Sequence, residues 1–247
     1  MFERIPASFS LLLWAALWEI GGRLMGSDLV PPFSTVVLTA IELVQMRAFQ
    51  AALLVTARAF FIGMALAVVV GIPVGVLMGK SRIAGRMLNI WVNIFISAPL
   101  TAVVPALMPL LGIGETTVIA TVFLFAVWVI IIDTQEGVGN VNPTQVEMAR
   151  TFGATPRQMF FRILLPAAMP EIITGLRLAV IRGIKGVIIG QIIIALVGFG
   201  ELFEVYLQSF QMDRFWALVL IIFGLGFVLV ELVGIVERRV AFYARAR

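Results

Sequence analysis

The sequence predicts an all-α, polytopic membrane protein of about six transmembrane helices. Of its 247 residues, 61% are hydrophobic and only 13% are charged, whereas soluble domains are about half apolar and about a quarter charged. Apolar segments of the length that a spanning helix needs, about 20 residues, recur from one end of the chain to the other. We therefore expect residues 1–247 to form a single transmembrane domain.

The residue types that the chain lacks narrow its chemistry. It has no cysteine and no histidine, which excludes disulfides, thiol nucleophiles, imidazole acid–base groups and Cys/His metal sites. It also has no GxxxxGK[ST] phosphate-binding loop. We expect no catalytic site, cofactor or metal in this chain. The net charge of +4 is explained by basic residues that cluster at one face of a membrane, so we expect no nucleic-acid partner.

The predicted spans are the longest apolar runs of the sequence. They lie near residues 8–25, 54–78, 87–110, 116–134, 172–196 and 215–236. Between the first and the second, residues 35–50 carry apolar side chains on one side. Two interpretations of this segment stay open: a separate amphipathic helix at the membrane interface, or the entry to a long, bent second span.

The third and fourth spans carry the strongest internal signals. Pro99, Pro105 and Pro109 interrupt the third span, and freed carbonyl groups are tolerated at membrane depth only against protein or a water-filled path. Pro99 and Pro105 are therefore candidates for the translocation path. Asp133 is predicted to end the fourth span, before a solvated loop over residues 135–141.

Polar residues also interrupt the apolar run of the fifth span. Gln191 lies deep in this run, where an amide either lines a solute path or bridges two helices by hydrogen bonds. Lys185 and Arg182 either extend to the membrane interface or face a cavity, where their charge would favour an anion. Lys185 and Gln191 complete the candidate path residues. In the sixth span, Glu231 is predicted to pair with a nearby arginine.

Residues 142–170 form a polar, basic island between apolar runs and predict a helical hairpin. Asn142 can cap a helix that begins at Pro143, and Gly153 can end that helix in a left-handed conformation. Thr155 and Pro156 repeat the same start signal. Pro166 is predicted to stop the second helix.

The distribution of basic residues predicts the orientation. Only Arg23, Arg47 and Arg214 fall clearly on the side opposite the hairpin, while most other basic residues share its side. Among these are Arg4, Lys80, Arg82, Arg86, Arg150, Arg157, Arg162, Arg238, Arg239, Arg245 and Arg247. The positive-inside rule then places the hairpin and both termini in the cytoplasm.

The hairpin resembles the EAA loop of the membrane subunits of bacterial ABC importers. Glu147-Met148-Ala149, Gly153 and Ile163-x-Leu165-Pro166 follow the family pattern of Glu-Ala-Ala, three residues, Gly, nine residues, Ile-x-Leu-Pro, with Met148 as a departure. The resemblance implies that this loop docks on an ATP-hydrolysing subunit. The residues expected at that contact are Glu147, Ala149, Arg150, Gly153, Ala154, Ile163, Leu165 and Pro166.

From about Leu29 to Arg239, the chain resembles the nitrate/sulfonate/taurine branch of these permeases. Matching places are residues 29–34, residues 71–75, Pro105 with residues 112–115, residues 174–177 and residues 198–200. The resemblance implies a type I importer permease fold in a bacterial cytoplasmic membrane. It also implies a homodimer with two ATPase subunits, which hold ATP and Mg, and a solute-binding protein. Two departures, Asp133 and Gln191, leave the solute open.

A secondary transporter or channel that works without an ATPase is the alternative function. The chain has few charges at membrane depth that could couple an ion, and no evident inverted repeat. A membrane enzyme would need paired carboxylates or a Ser/Lys dyad, and no such spacing is present. The sequence therefore favours the channel-forming subunit of an ATP-driven importer.

Overall fold

A computed structural model describes the backbone of residues 7–245 and the side chains of residues 9–239. Over this range the chain is helical, with no strand. The termini, including Arg4 and Arg247, lie outside the described residues. The helices are α1 (Ala7–Met25), α2 (Phe33–Gln45), α3 (Arg47–Lys80), α4 (Arg82–Ser97), α5 (Leu100–Leu111), α6 (Glu115–Gly139), α7 (Pro143–Thr151), α8 (Pro156–Gln158), a π-helical turn (Met159–Leu164), α9 (Leu165–Ile194), α10 (Phe199–Gln208) and α11 (Met212–Arg245).

The predicted all-α membrane fold is confirmed. Within the described residues, α3, α6 and α11 are each long and apolar enough to cross a membrane. Two bent pairs, α4 with α5 and residues 156–194 with α10, raise the number of spans to five. The first predicted span is present as the helix α1 but is not among these five, because Glu19 and Arg23 lower its hydropathy.

The third predicted span, residues 87–110, is interrupted as expected, and the break lies at Pro99. α4 and α5 meet at an angle of 100° across Ala98 and Pro99. Pro99 precedes the first residue of α5, where its missing N–H removes no helical hydrogen bond. Pro105 and Pro109 lie inside α5. The sequence identified the proline at the break, whereas the angle between α4 and α5 follows only from the structure.

The core of the bundle is the packing of α6 between α3 and α9. α3 presents Ala59, Gly63, Ala67, Gly71 and Gly75 at four-residue spacing, and all five are buried. A Cβ on Gly75 would lie 2.6 Å from the carbonyl oxygen of Ile131 in α6. Only glycine therefore permits this approach of the two backbones, which sets how closely the two helices pack.

The fourth predicted span extends further than expected. α6 continues to Gly139, so most of the predicted loop over residues 135–141 is helical and Asp133 lies inside the helix. Asp133 packs against Gly175 of α9, where a Cβ would lie 2.6 Å from the Asp133 Cβ. The acidic residue thus fills a gap in a helix interface, and the expectation that it ends the helix is wrong.

Residues 35–50 belong to two elements. α2 ends at Gln45, Met46 is extended, and α3 begins at Arg47. The apolar side of α2, with Val36 and Leu43 fully buried, packs in a cluster with α11 and α10. Of the two interpretations, the structure shows a separate helix.

Candidate functional site

The hairpin begins and turns as its sequence predicts. The Asn142 side chain accepts a hydrogen bond from the Thr144 N–H at 2.9 Å, and Pro143 occupies the first turn of α7. At the far end, the Gly153 N–H donates to the Arg150 carbonyl at 2.9 Å and the Ala154 N–H to the Ala149 carbonyl at 3.0 Å. This pair of bonds is a Schellman motif, which needs the left-handed φ of 75° that Gly153 adopts.

The second helix of the hairpin also begins as predicted. The Thr155 side chain accepts from the Gln158 N–H, and the Gln158 side chain accepts from the Thr155 N–H at 2.9 Å. This reciprocal capping box satisfies two backbone donors at the start of a helix. The turn between the two helices is therefore specified by short-range hydrogen bonds alone.

The expectation that Pro166 stops this helix is wrong. The helix continues through a π-helical turn, Met159–Leu164, into α9 and runs unbroken from Pro156 to Ile194. In the wide turn, the Leu165 N–H donates to the Phe160 carbonyl, five residues back. Proline inside an α-helix removes one backbone hydrogen bond, and its ring clashes with the carbonyl four residues back, which usually kinks or breaks the helix. The π-turn directly before Pro166 relieves this clash by widening the backbone.

The predicted docking residues divide by exposure. Ala149 is buried, and Ala154, Ile163, Leu165 and Pro166 are half-buried inside the hairpin. Glu147, Arg150 and Gly153 are exposed. Leu165 packs against the bundle residues Val138, Ala168 and Ile172, and the exposed group presents charge and bare backbone at the surface of the hairpin. A docking role for these residues stays a prediction.

Three apolar side chains at this surface were not among the predicted contact residues. Phe152 is 84% exposed, Phe161 62% and Met148 55%. Phe152 and Met148 stand among polar and small neighbours, which is a signal in the sequence, whereas Phe161 adjoins other apolar residues, so its exposure is shown only by the structure. Met148, which departs from the family pattern, adds to the apolar surface of the hairpin. Exposed apolar groups among charges are typical of a protein contact.

The hairpin is anchored to the bundle at its base. The Lys80 ammonium at the end of α3 lies 5.3 Å from the centre of the Phe160 ring, a cation–π geometry. Inside the hairpin, a cleft of about 440 Å³ lies between α7 and the π-turn, lined by Gln145, Met148, Arg162, Ile163 and Pro166 among others.

Gln191 joins three elements. Its Oε1 accepts from the Thr56 hydroxyl of α3 at 3.0 Å and from the Phe199 N–H of α10 at 3.2 Å, and the side chain is fully buried. Its Nε2 has no partner among the described residues. Of the two roles that the sequence left open, the structure shows the bridging hydrogen bonds. A role on the translocation path stays a prediction.

The other candidate path residues are exposed. Pro99 and Pro105 lie on the surface of the bent α4–α5 pair. Lys185 lies at an apolar cleft of about 560 Å³ between α9 and α11. The structure does not bring these three residues into one site with Gln191. Glu231 pairs with Arg238 at 3.4 Å, as predicted.

Comparison with known proteins establishes the family. Residues 71–242 match the family of binding-protein-dependent transport system inner membrane components. Because the match covers well over half of the chain, the chain belongs to this family. It is the permease subunit of an ABC importer, a transporter component of the inner membrane and not an enzyme.

The most similar relatives carry different names. The chain is 29% identical to the formylaminopyrimidine transport permease protein ThiX of Halalkalibacterium halodurans, over 91% of this chain and 90% of that protein. It is 28% identical to the glycine betaine/proline betaine permease ProW of Escherichia coli over 80% of this chain. The chain spans only about half (54%) of the length of that relative. It is 30% identical to the nitrate import permease NrtB of Leptolyngbya laminosa over 51% of this chain and 45% of that protein. Bicarbonate and taurine permeases are also among its relatives.

A solved structure shares the fold. The structure titled as inward-facing conformations of the MetNI methionine ABC transporter aligns with a TM-score of 0.60, at 22% identity, over 80% of this chain and 96% of that chain. The type I importer permease fold implied by the sequence resemblance is thus confirmed.

Proposed function

We propose that this chain forms, as a homodimer, the translocation path of an ATP-driven importer for a small anionic solute, and that the hairpin of residues 142–170 docks on the ATPase subunits. The observation that carries the proposal is the surface of the hairpin. It combines a rigid, doubly capped turn with exposed charge at Arg150 and exposed apolar groups at Phe152 and Phe161.

The continuity of the second hairpin helix supports a mechanical role. Because no break separates Pro156 from Ile194, a displacement of the hairpin is transmitted directly into the centre of the bundle. Binding of ATP by the ATPase pair would draw the docked hairpins together. The bundles would then rock between inward-open and outward-open states, with each bundle moving largely as a unit.

The energy for this change comes from the partner subunits. A ligand shifts a conformational equilibrium only by its differential affinity for the two states. ATP and Mg in the ATPase subunits would supply that difference on the cytoplasmic side. A solute-binding protein would deliver the solute to the opposite face. With α1 as the sixth crossing of the predicted topology, both termini of the chain would lie in the cytoplasm of a bacterial cell.

The anionic character of the solute is inferred from Lys185, which lies within the apolar run of α9 without an ion-pair partner in the described part of the chain. Relatives named for the anions nitrate and bicarbonate agree with this choice. Relatives named for taurine, which is a zwitterion near neutral pH, and for betaine and formylaminopyrimidine do not, so the charge of the solute is the finer part of the proposal.

The docking role is tested by Gly153→Val, with Gly224→Val as the matched control. Valine at Gly153 disrupts the left-handed turn, whereas Gly224 has open space around it and an ordinary helical conformation. We expect the Gly153 variant to insert into the membrane but to lose co-purification with an ATPase encoded beside it. ATP-dependent uptake should fall by about tenfold or more, as for loss of a central contact residue.

The competing function predicts a different outcome. A secondary transporter or channel would move solute in vesicles without nucleotide and without an associated ATPase. Uptake that persists without ATP, or unchanged ATPase association in the Gly153 variant, would contradict the proposed docking site.

A further inference from the structure

The polar residues of α4 form one stripe along the helix. Its members are Arg82, Arg86, Asn89, Asn93 and Ser97, spaced by four, three, four and four residues, which places them on one side of a helix. The five residues are exposed except Asn89, which is half-buried. We call these five residues the polar stripe.

The stripe lies between two different faces of α4. On one side of it, Gly85 and Val92 are buried against the bundle. On the other side, Ile83, Met87, Ile90, Trp91 and Ile94 form an exposed apolar face. Around its circumference, α4 therefore presents first a buried contact with the bundle, then the polar stripe, and then the exposed apolar face. An apolar face of this kind is suited to lipid.

The polar stripe has no partners of its own. None of its five side chains forms a hydrogen bond or ion pair with another side chain within the described part of the chain. The side chain that caps this helix belongs to Ser81, which is not a member of the stripe. Hydrocarbon cannot satisfy amide and guanidinium groups, and leaving them unpaired there is costly. The groups must therefore meet water or a polar solute.

The depth of the stripe makes this requirement strict. α4 and α5 qualify as a membrane span only as a bent pair. Asn93 lies about 16 Å along the helix axis from Arg82, at 1.5 Å per residue, so an α4 that runs across the bilayer would carry this amide about half-way through the roughly 30 Å hydrocarbon core. An exposed amide at that depth is a functional candidate by default.

A polar cavity continues the stripe towards the hairpin. It has a volume of about 410 Å³ and lies between the α3–α4 turn and the end of α6. Three residues of the stripe line it: Arg82, Arg86 and Asn89. Gln135, Glu136 and Asn140 line the opposite wall. Two arginines against one glutamate leave the cavity with an excess of positive charge.

We infer that the polar stripe forms part of the wall of the translocation path, and that the cavity at Arg82 and Arg86 is its hairpin-side mouth, selective for anions. The inference rests on the proposed function and adds the residues that the solute meets. Asn89, Asn93 and Ser97 offer neutral hydrogen-bonding groups in succession, and Arg86 supplies the charge. The 100° bend after Ser97 ends the stripe.

Cysteine labelling tests the inference directly, because the chain contains no cysteine. Asn93→Cys and Ser97→Cys place a thiol on the stripe, and Ile90→Cys and Ile94→Cys place it on the apolar face of the same helix. The complete transporter in membrane vesicles is treated with an anionic, membrane-impermeant methanethiosulfonate reagent. The stripe thiols should react about tenfold faster or more, since reaction needs a hydrated thiolate.

The labelling outcome separates this inference from the proposed function. If both stripe positions react no faster than Ile90→Cys and Ile94→Cys while ATP-dependent uptake is intact, the stripe does not line the path although the chain is still a permease. If the unmodified chain shows no ATP-dependent uptake, the proposed function itself is wrong.

Arg86→Gln tests the anion selectivity of the mouth. In the Asn93→Cys background, this change should lower the ratio of anionic to cationic reagent rates by about threefold, the effect of one partly screened charge. Arg47→Gln is the matched control, because Arg47 is also exposed but begins α3, and it should leave the ratio unchanged. An unchanged ratio in the Arg86 variant would overturn the selective mouth.

Discussion

Gly153 and Gly198, two of the four glycines with positive φ in the described residues, differ in what surrounds them. Gly153 at the tip of the hairpin has φ 75°, with open space where a Cβ would lie. Gly198, between α9 and α10, has φ 60°, and a Cβ there would lie 2.7 Å from the Thr56 hydroxyl and against the Gln191 amide. The space beside Gly153 is empty, whereas the space beside Gly198 is filled by the side chains of Thr56 and Gln191.

The difference separates a turn kept for a partner from a turn that holds the fold. At Gly198, the two Gln191 hydrogen bonds join α3, α9 and α10 in the buried core. At Gly153, the bonds are all local, and the neighbouring Phe152 is the most exposed of the large apolar side chains described. Changes at the Gly198 turn should therefore reduce stability, and changes at the Gly153 turn should reduce partner binding.

The largest loss of stability is expected for Gly198→Val. The new side chain combines a disfavoured backbone conformation with a clash against Thr56 and Gln191, and we expect a loss of about 4 kcal/mol or more. Thermal unfolding of the purified chain in detergent measures the effect, with Gly224→Val as control. A thermal unfolding midpoint equal to that of Gly224→Val would show that the Gly198 turn accommodates valine. It would contradict the proposed difference between the two turns.

The loss of stability should be smaller for Gln191→Leu than for Gly198→Val. Leucine keeps the volume but removes the acceptor of the Thr56 hydroxyl and the Phe199 N–H, so we expect a loss of about 1–3 kcal/mol. Thermal unfolding again measures it. Gln208→Leu is a suitable control because Gln208 is exposed on α10. If the two variants unfold alike, the buried bridge contributes nothing to the stability of this junction.

For the isolated chain, Gly153→Val should cause a still smaller loss of stability. Only the backbone conformation is disfavoured, at about 1–2 kcal/mol, because no neighbouring atom obstructs the side chain. The unfolding midpoint of this variant should lie well above that of Gly198→Val. The reverse order would contradict the division between the two turns.

Phe152→Ala is expected to change the stability of the isolated chain by no more than about 0.5 kcal/mol. Its effect should appear instead in the association with the ATPase, measured by co-purification. Phe199→Ala provides the contrast, because the Phe199 side chain is buried and packs 5.5 Å from the Phe49 ring; its loss should cost about 3–5 kcal/mol. Unchanged association in the Phe152 variant would show that the exposed ring is not a docking contact.

The same contrast explains how far the sequence could predict the structure. The hairpin was predictable because Asn142, Gly153 and Thr155 act through hydrogen bonds to residues two to five positions away. The bridge at Gln191 was not, since its partner Thr56 lies 135 residues away in the sequence. Likewise, no local pattern indicates the ion pair between Arg58 of α3 and Glu115 of α6, which lie 57 residues apart in the sequence.

Proline was the least predictable signal. Pro99, Pro105 and Pro166 are equally prominent in the sequence, yet only Pro99 marks a sharp bend. At Pro166, the preceding π-turn absorbs the proline, and the widening depends on hydrogen bonds that no residue pattern specifies. For the candidate site, the motif located the hairpin, while the exposure of Phe152 and Phe161 required the structure.

The unbroken helix from Pro156 to Ile194 has a geometric consequence. At 1.5 Å per residue it is a lever of roughly 58 Å, with the glycine turn at one tip and the Gln191 junction near the other. Pivoting by about 5° about its base would carry the opposite tip roughly 5 Å, close to the pitch of one helical turn. A small rotation of the hairpin would thereby become a movement of several ångströms at the Gln191 junction.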